Sequence, residues 1–508
     1  MKKPLATDKV YDFALVAMLS SAACLSLYAL FAKLNGPIID AFGFRQTQTA
    51  ISVFYMLRGS AIFAYETPVL GYPWAIPFEF PTYQAIVAIF SSLFGHLDAT
   101  GRIVSYVFFL LCAYPISRLY KLYDAPRLAL PITIILGLAS PLYVLYSRAF
   151  LIETTALFFS LMWLWLFASE LKAHLTRVAL ICAGLGTVAM LTKSTTFLSV
   201  AIFALVLLVP HVIQQARLRS YRAAAGCLIL AAAVTLPPIA IGYGWVMWTD
   251  SIRSMNRFGD FLSSANLWHW NFGYPGQRQS AEFWKVVAGR IPVDVFGYAS
   301  LAALLPIGVS LAWRQTRLLA FAAVATVMGG LLIFPNLHFV HSYYQTSIAI
   351  FAMMACALGV SAIYEITSKP LALVILISIA GSQQYYSYKY TLRTITADHK
   401  YNQTYAIARL AKKLTSPTDV LIVFGADWSS EIPYYAERKS LSVPGWASDD
   451  QLAALVRAPQ DFLGTSRLGG LVLCAPAGRP AMQAAADQLI VGMALKGEVA
   501  ACKLYTPT

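Results

Sequence analysis

The sequence predicts a polytopic α-helical membrane protein of about eleven transmembrane helices, followed by a small C-terminal α/β domain. Composition is the first observation behind this prediction, since 58% of the 508 residues are hydrophobic and only 12% are charged. Soluble domains are far less apolar. The apolar residues also gather into many windows near the length of about 20 that a helix needs to cross a bilayer. After about residue 400 the pattern changes to alternating strands and helices, which is typical of a soluble α/β domain.

The apolar windows alternate with short basic loops, which sets their orientation. We expect membrane helices at residues 11–33, 102–120, 128–147, 154–170, 178–193, 195–210, 223–246, 295–313, 318–334, 346–364 and 371–388. One face receives the loop residues Arg118, Lys121, Arg127, Lys172, Arg177, Arg217, Arg219, Arg222, Arg314, Arg317 and Lys369. Basic short loops stay in the cytoplasm, so this face and the N-terminus are predicted to be cytoplasmic. The net charge of +14 is therefore attributed to topology, and nucleic-acid binding is not expected.

We expect the protein to lie in a bacterial inner membrane, and three larger pieces then fall on the opposite, periplasmic face. They are residues 34–101, residues 247–294 and everything after Tyr390. The apolar run from Pro81 to Phe94 is too short to span, so it is interpreted as a juxtamembrane helix in the outer interface. We therefore divide the chain into a membrane module, residues 1–390, and a periplasmic α/β domain, residues 391–508. Within that domain we expect helices at 401–414, 449–457 and 480–490 and strands at 419–424, 469–474 and 498–505.

The seven cysteines do not follow a metal-binding pattern. Five lie in apolar helices, where a thiol behaves as a small hydrophobe, and no Cys-x-x-Cys spacing occurs. Cys474 and Cys502 lie outside the membrane, each in a predicted strand. The periplasm is oxidising, so neighbouring strands would allow a disulfide between them; two buried free thiols are the alternative.

The first outer loop carries more polar residues than a connector needs. It reads DAFGFRQTQT from Asp40 to Thr49, and further on IPFEFP from Ile76 to Pro81. The segment 76–95 resembles the stretch of the lipid A aminoarabinose transferases in which a Phe-Glu-Lys-Pro-Pro motif opens a juxtamembrane helix. Those enzymes and the protein O-mannosyltransferases (the glycosyltransferase family 39-like group) belong to the GT-C class of membrane glycosyltransferases.

Three further resemblances follow in the order of that class. SPLYVLYSRAFLIE at 140–153 is similar to the motif with an arginine and a later acid at an outer helix end. GLGTVAMLTKS at 184–194 resembles the Gly-Leu-x-x-Leu-Thr-Lys helix, and HSYYQTSIAIFAMMACALGV at 341–360 resembles the late His-x-Tyr-Tyr motif. The class usually has an Asp-Glu pair in the first loop, where this sequence reads Phe-Arg45-Gln46-Thr47-Gln48. The lysine after the motif glutamate is Phe80. These departures leave the identity of the base open.

The resemblance implies a GT-C-like fold and an inverting transfer of a sugar from a polyprenyl-phosphate donor to a periplasmic or lipid-linked acceptor, which is a glycan, a lipid or a protein. Such a reaction needs a base for the acceptor hydroxyl, cations for the leaving phosphate and a sugar pocket. The candidate catalytic acids are Asp40, Glu79 and Glu153, and Glu66 is a further acid in the first loop. Candidate phosphate ligands are Arg45, Arg58, Arg148, Lys193, Arg253 and Arg257. Candidate substrate contacts are Gln46, Gln48, Tyr83, His341, Tyr343 and Tyr344.

A divalent cation (Mg, Mn or Zn) is the one cofactor considered. Glu79 and Glu153 would hold it, shielding the phosphate. Several site residues also have a structural alternative. Asp40 would cap the following helix, Glu153 and Arg148 would form an ion pair, Lys193 would reach the interface, and His341 would join an aromatic belt.

Two other functions remain as alternatives. A transporter or lipid flippase would place buried charges near the middle of its helices and show paired broken helices, whereas the predicted spans carry their charges at the ends. An O-antigen ligase or polymerase would centre on a large outer loop rich in arginine and histidine. Residues 247–294 are only a modest version of such a loop.

Overall fold

A computed structural model describes residues 6–173, 176–475 and 478–508; the side chains of residues 6–10, 172, 173, 176 and 177 are not described, so Lys172 and Arg177 of the expected basic loops fall outside the described side chains. The described chain up to residue 396 is mostly helical. Its α-helices are Ala6–Phe31, Gly43–Met56, Thr82–Phe94, Leu97–Leu111, Ala113–Leu122, Ala129–Ala139, Pro141–Tyr146, Glu153–Ala173, Thr176–Thr192, Ser194–Arg217, Tyr221–Arg253, Trp268–Phe272, Ala281–Phe296, Leu304–Ala312, Arg317–Ile333, Pro335–Val340, Thr346–Ile366, Lys369–Tyr386 and Leu392–Thr396.

The chain folds into two compact units. One comprises Met1–Leu34, Arg102–Gly244 and Trp268–Thr396, and is called the helical unit. The other comprises Asn35–Gly101, Trp245–Leu267 and Ala397–Thr508, and is called the mixed unit. The boundary expected near residue 390 thus lies close to the start of the last segment. The mixed unit also includes most of the first outer loop and part of the outer piece 247–294, which the sequence did not indicate.

Several helices are long and apolar enough to cross a membrane, so the chain is a multi-pass membrane protein. Among the described residues six qualify: Tyr11–Phe31, Leu97–Leu122, Glu153–Leu171, Ser194–Arg217, Tyr221–Arg253 and Ser342–Ile366. A bent pair, Ala281–Ala299 with Leu304–Ala312, raises the number to seven. Each of the other sequence windows predicted to span the membrane also contains a helix, but those helices are not among the six or the bent pair. The expected juxtamembrane helix is present as Thr82–Phe94.

Local backbone chemistry explains where two predicted spans are interrupted. The predicted helix 128–147 breaks at Ser140, which is extended because the following Pro141 disfavours helical geometry in the residue before it. The predicted start at 295 is wrong, because a helix already runs over Ala281–Phe296. That helix carries Glu282, Lys285, Arg290 and Asp294. These charges lower its mean hydropathy, so the apolar windows of the sequence did not indicate it. It ends at Gly297, where φ is 66° and a Cβ atom would lie 2.7 Å from the Ser382 carbonyl oxygen.

The core of the helical unit forms around the helix Thr346–Ile366. This helix is buried along almost its entire length, and it packs against Leu304–Ala312, Arg317–Ile333 and Ala129–Ala139. Close approach depends on small residues. A Cβ atom at Gly359 would lie 1.7 Å from the Pro306 carbonyl oxygen, so only glycine allows the two helices to pack at this distance.

The mixed unit contains a five-stranded sheet. The strands are β1 (Val420–Phe424), β2 (Lys439–Ser442), β3 (Leu468–Cys474), β4 (Met493–Val499) and β5 (Cys502–Pro507), in the order β2-β1-β3-β5-β4. β1 pairs in parallel with β2 and β3, whereas β5 is antiparallel to β3 and β4. The helices of this region are Gln403–Leu414, Glu431–Ala436, Asp449–Arg457, Gln460–Leu463 and Pro480–Leu489.

The predicted elements of this region are largely confirmed. The expected strand 498–505 is wrong in one respect, because a turn at Ala500, with φ of 51°, divides it into β4 and β5. β2 and the helix Glu431–Ala436 were not predicted. The outer edge of β2 is covered by a piece of the first outer loop, since Ser440 N donates to the Pro68 carbonyl oxygen at 3.0 Å and Ser442 N to that of Val69 at 2.7 Å. This pairing removes an open sheet edge.

The disulfide between Cys474 and Cys502 is confirmed. The two residues are direct partners in the β3–β5 ladder, with their α-carbons 3.9 Å apart. The other five cysteines are free thiols.

Candidate functional site

The residues selected from the sequence gather mainly into two clusters, one in each unit. The Arg45 cluster, in the mixed unit, consists of Asp40, Arg45, Gln46, Gln48 and Glu79. The Lys193 cluster, in the helical unit, consists of Glu153, Lys193, His341, Tyr343 and Tyr344.

The Arg45 cluster is built at the start of the helix Gly43–Met56. Phe42 adopts a left-handed conformation, φ 48°, and turns the chain into this helix. The Arg45 guanidinium donates to the Glu79 carboxylate and to the Gln48 side-chain oxygen. Tyr65 fixes the segment around Glu79, because its hydroxyl donates to the Glu79 carbonyl at 2.8 Å and accepts from Phe78 N at 2.7 Å. The motif glutamate therefore faces an arginine, and both side chains remain partly exposed.

Asp40 is buried and is bound by Gln46 of the same helix start. Its Oδ1 accepts from Gln46 Nε2 at 2.9 Å and from Ala41 N at 3.0 Å, whereas the helix begins after Phe42 without a side-chain cap. Gln46 is fully buried and holds the Asp40 carboxylate. The N-cap position of the helix is Phe42, so Asp40 lies two residues before it.

The Lys193 cluster centres on a buried ion pair. Lys193 lies in extended conformation between the helices Thr176–Thr192 and Ser194–Arg217, and its ammonium binds the carboxylate of Glu153, the first residue of the helix Glu153–Ala173. The two residues are 4% and 2% exposed, so neither reaches the surface in the manner expected of an interfacial lysine. Within the described part of the chain, Glu153 Oε2 has no hydrogen-bond partner. Removing two charges from water is costly, which makes this pair a candidate functional feature.

Aromatic rings cover the Lys193 ammonium. Its Nζ lies 4.4 Å from the centre of the Tyr344 ring and 5.3 Å from that of Tyr343. His341 stacks on Tyr343 at 5.2 Å, and Trp270 lies 5.9 Å from His341. Such a wall of π-faces suits both a cation and a sugar or prenyl group.

Two further residues belong to this neighbourhood and were missed in the sequence. Arg290 donates to the His338 carbonyl oxygen, and His338 is 2% exposed. Burial, with the positive charges of Arg290 and Lys193, lowers the pKa of His338 to about 3, so its imidazole is neutral at physiological pH. The spacing His338-x-x-His341 just before the tyrosine pair was the available indication.

The other selected residues lie apart from these clusters or have structural partners. In the mixed unit Arg253 bonds Asp250 and Thr249, and Arg257 lies 3.2 Å from Asp461. Arg58 lies 3.8 Å from Glu437, and Tyr83, fully buried, donates to the Gly101 carbonyl oxygen at 2.8 Å. Glu66 pairs with Lys439. Arg148, in the helical unit, is 1% exposed. The six expected phosphate ligands therefore do not form one cluster within either unit.

The carboxylates expected to hold a metal are already matched by basic side chains. Glu79 is bound by Arg45, and Glu153 by Lys193. Within residues 6–173, 176–475 and 478–508, no three His, Cys, Asp or Glu side chains gather as a metal site. These donors do not fit a metal ion in the arrangement described.

Comparison with known proteins finds similarity to membrane glycosyltransferases. Residues 77–241 match the family model described as dolichyl-phosphate-mannose-protein mannosyltransferase, which is about a third of the chain. No curated protein sequence matches.

Solved structures match over nearly the full length. ArnT from Cupriavidus metallidurans bound to undecaprenyl phosphate aligns with a TM-score of 0.65 at 13% identity, covering 99% of this chain and 98% of that one. The archaeal oligosaccharyltransferase AglB from Archaeoglobus fulgidus, in complex with an inhibitory peptide and a dolichol-phosphate, aligns at 0.53 and 12%, covering 98% and 74%. The mycobacterial arabinofuranosyltransferase AftD aligns at 0.54 and 14%, covering 97% and 39%. At these identities the likeness concerns the fold.

Proposed function

We propose that the chain is a glycosyltransferase of the GT-C superfamily and that it transfers a sugar from a polyprenyl-phosphate carrier to a glycan, lipid or protein acceptor. The observation that carries the proposal is that the motif residues Glu79 and Lys193 occur in charge pairs, not as isolated loop charges. We further propose that the chain crosses a bacterial inner membrane eleven times and has a periplasmic C-terminus. This topology fits a donor that a lipid carrier presents on the outer face of the membrane.

The reaction we propose is a single displacement with inversion at the anomeric carbon. The acceptor oxygen bonds to that carbon as its bond to the phosphate oxygen breaks, and the bonding electrons leave with the polyprenyl phosphate. A carboxylate, Glu79 or Asp40, takes the proton of the acceptor hydroxyl. Cationic side chains stabilise the charge on the departing phosphate, with Arg45 and Lys193 as the leading candidates.

The charge pairs suggest how such cations would be held before the donor arrives. Glu153 holds the Lys193 ammonium in a buried place, and Glu79 and Gln48 hold the Arg45 guanidinium at its position. A phosphate oxygen competes for the same donors, and an arginine can bind it in bidentate fashion. On this account, occupation by phosphate releases the Glu79 carboxylate to act as base.

Carrier binding tests the proposal without knowledge of the sugar. The purified protein should bind undecaprenyl phosphate, which native mass spectrometry detects. With membrane extract as the source of acceptor, the protein should also release the carrier from at least one of a panel of undecaprenyl-phosphate-linked sugars. Absence of carrier binding would contradict the proposed donor class.

Glu79→Gln is the first variant to test. We expect at least a 100-fold loss of transfer, the usual range for removing a general base, with retained folding and carrier binding. The matched control is Glu282→Gln, an exposed acid in the helical unit. Near-normal turnover of Glu79→Gln would exclude Glu79 as base and favour Asp40.

A further inference from the structure

The cavity at the far end of the helix Gly43–Met56 combines positive charge with an aromatic wall. Its volume is about 340 Å³ and its lining includes Phe54, Arg58, Lys412, Glu437 and Arg438, all in the mixed unit. Small-molecule sites range from about 300 to 1,000 Å³, so the cavity is large enough for a small polar group. Three cationic side chains and one carboxylate line the cavity, so its net charge is +2.

Arg58 is poised to bind an anion. Its guanidinium lies 3.4 Å from the centre of the Phe54 ring, which holds it by a cation–π contact. The guanidinium lies 3.8 Å from the Glu437 carboxylate, beyond hydrogen-bonding distance, and the Arg58 side chain makes no hydrogen bond to any residue that the structure describes. The side chain is about half exposed, so its donors are available from solution.

The other groups of the cavity give it a fixed frame. Arg438 is 4% exposed, and it donates to the carbonyl oxygens of Ala436, Glu437, Lys412 and Thr415 and to the Thr415 hydroxyl. Its guanidinium is therefore a fixed charge beneath the cavity. Lys412 binds the Glu437 carboxylate but remains a third exposed, so an anion can recruit its remaining donors.

This cavity cannot serve the same phosphate as Arg45. Arg45 lies in the first turn of the helix and Arg58 just beyond its last turn. At a rise of about 1.5 Å per residue, their α-carbons are separated by about 20 Å along the axis. One phosphate binds donors within about 3 Å of its oxygens, so two separate anionic groups are required if both arginines bind anions.

We propose that the Arg58–Lys412 cavity binds a phosphate or carboxylate group carried by the acceptor, and so selects anionic acceptors. The identification of the ligand as the acceptor rests on the proposed function. Because the donor in that function carries a single phosphate, a second anionic group would have to come from the acceptor. The anion site itself does not depend on that function, and direct binding tests it separately.

The binding experiment uses the full chain in nanodiscs of phosphatidylcholine, with inorganic phosphate and glucose 1-phosphate as probes in titration calorimetry. Arg58→Gln and Arg58→Gln/Lys412→Gln should weaken binding about fivefold or more, equivalent to about 1 kcal/mol. Lys413→Gln, an exposed neighbour on the same helix, is the matched control and should bind as the unmodified chain does. Glu437→Gln removes the one acid and should tighten binding, a result that loss of structure would not produce.

A second arm distinguishes a lipid headgroup from a free glycan phosphate as source of the anion. Nanodiscs with 30% phosphatidylglycerol should weaken probe binding if a headgroup fills the cavity and leave it unchanged if a free glycan does; both results retain the anion site. Equal affinities of the unmodified chain, Arg58→Gln and Glu437→Gln would overturn it. If transfer is later absent while these differences persist, only the assignment to an acceptor fails.

Discussion

At the scale of single residues, the most informative feature is the burial of the Glu153–Lys193 pair. Breaking a buried pair by removing one charge is more damaging than replacing both, because the remaining charge has no compensation. Stability and transfer can therefore be separated at this position.

For this pair we predict different effects on stability and on transfer. Lys193→Met should reduce the free energy of unfolding by about 3–5 kcal/mol, whereas Glu153→Gln/Lys193→Met should recover most of it. Both variants should lack transfer, because neither supplies the cation. Denaturant unfolding in detergent and the carrier-release assay measure the two effects, with the exposed Lys285→Met as control. Transfer by the double variant would show that Lys193 has a purely structural role.

His338 makes a second residue-scale prediction. Its pKa of about 3 lies below the usual 6.5, so between these values the unfolded chain binds more protons than the folded chain. Its contribution to stability is complete above pH 6.5 and is lost as the pH falls towards 3. At pH 5 the loss amounts to at most about 2 kcal/mol.

His338→Asn should reduce this pH dependence. The test compares thermal unfolding at pH 7.5 and pH 5 for the unmodified chain, His338→Asn and the exposed-site control His96→Asn. If the midpoint of thermal unfolding falls equally in all three proteins between pH 7.5 and pH 5, the pKa of His338 is not lowered by folding.

At the scale of elements, prolines, glycines and cysteines decide where helices stop and how the sheet is secured. Pro141 interrupts one predicted span. Gly297 ends the helix Ala281–Phe296, whose four charged residues kept it from being predicted as a membrane helix. The Cys474–Cys502 bond closes a 28-residue separation across β3 and β5, so it restricts the unfolded chain.

Removing this disulfide should destabilise the mixed unit. For Cys474→Ser/Cys502→Ser we expect a loss of about 3.5 kcal/mol from the entropy of the closed loop. Thermal unfolding with and without dithiothreitol gives the measurement: the reductant should destabilise the unmodified chain but leave the double variant unchanged. Alkylation of both thiols in unreduced, denatured protein would contradict the bond.

At the scale of the whole molecule, the open question is the orientation of the chain in the membrane. The basic loops favour a cytoplasmic N-terminus, and an odd number of spans would place the C-terminus outside. Among the residues that the structure describes, six helices, or seven with the bent pair, are long and apolar enough to span. A break at Ser140 shortens the helix in one of the other predicted windows.

We predict that the C-terminus is periplasmic. Alkaline phosphatase fused after Tyr390 should be active, and β-galactosidase at the same point inactive. Fusions after Arg222, in a basic loop, should give the reverse pattern and serve as the control. Active β-galactosidase after Tyr390 would indicate an even number of spans, with the apolar run 81–94 as the first segment to reconsider.

The sequence by itself determined the class of the protein and most of its elements. Apolar windows, basic loops and the later αβ alternation are local patterns, so they are readable without contacts. Glu79, Lys193 and the His341–Tyr344 segment were found in the same way, from short motifs in order. The disulfide was foreseeable because only two cysteines lay outside apolar helices.

Only the tertiary structure decided which charges meet. Glu79 binds Arg45, 34 residues away, and Glu153 binds Lys193, 40 residues away; no local pattern encodes such pairs. The same holds for Arg58, which was selected from the sequence as a ligand of the donor phosphate but shares a cavity with Lys412, Glu437 and Arg438. His338 acquires its neutrality from burial among Arg290 and Lys193. The pKa of a side chain and the net charge of a cavity depend on neighbours in space, which the fold brings together from distant parts of the chain.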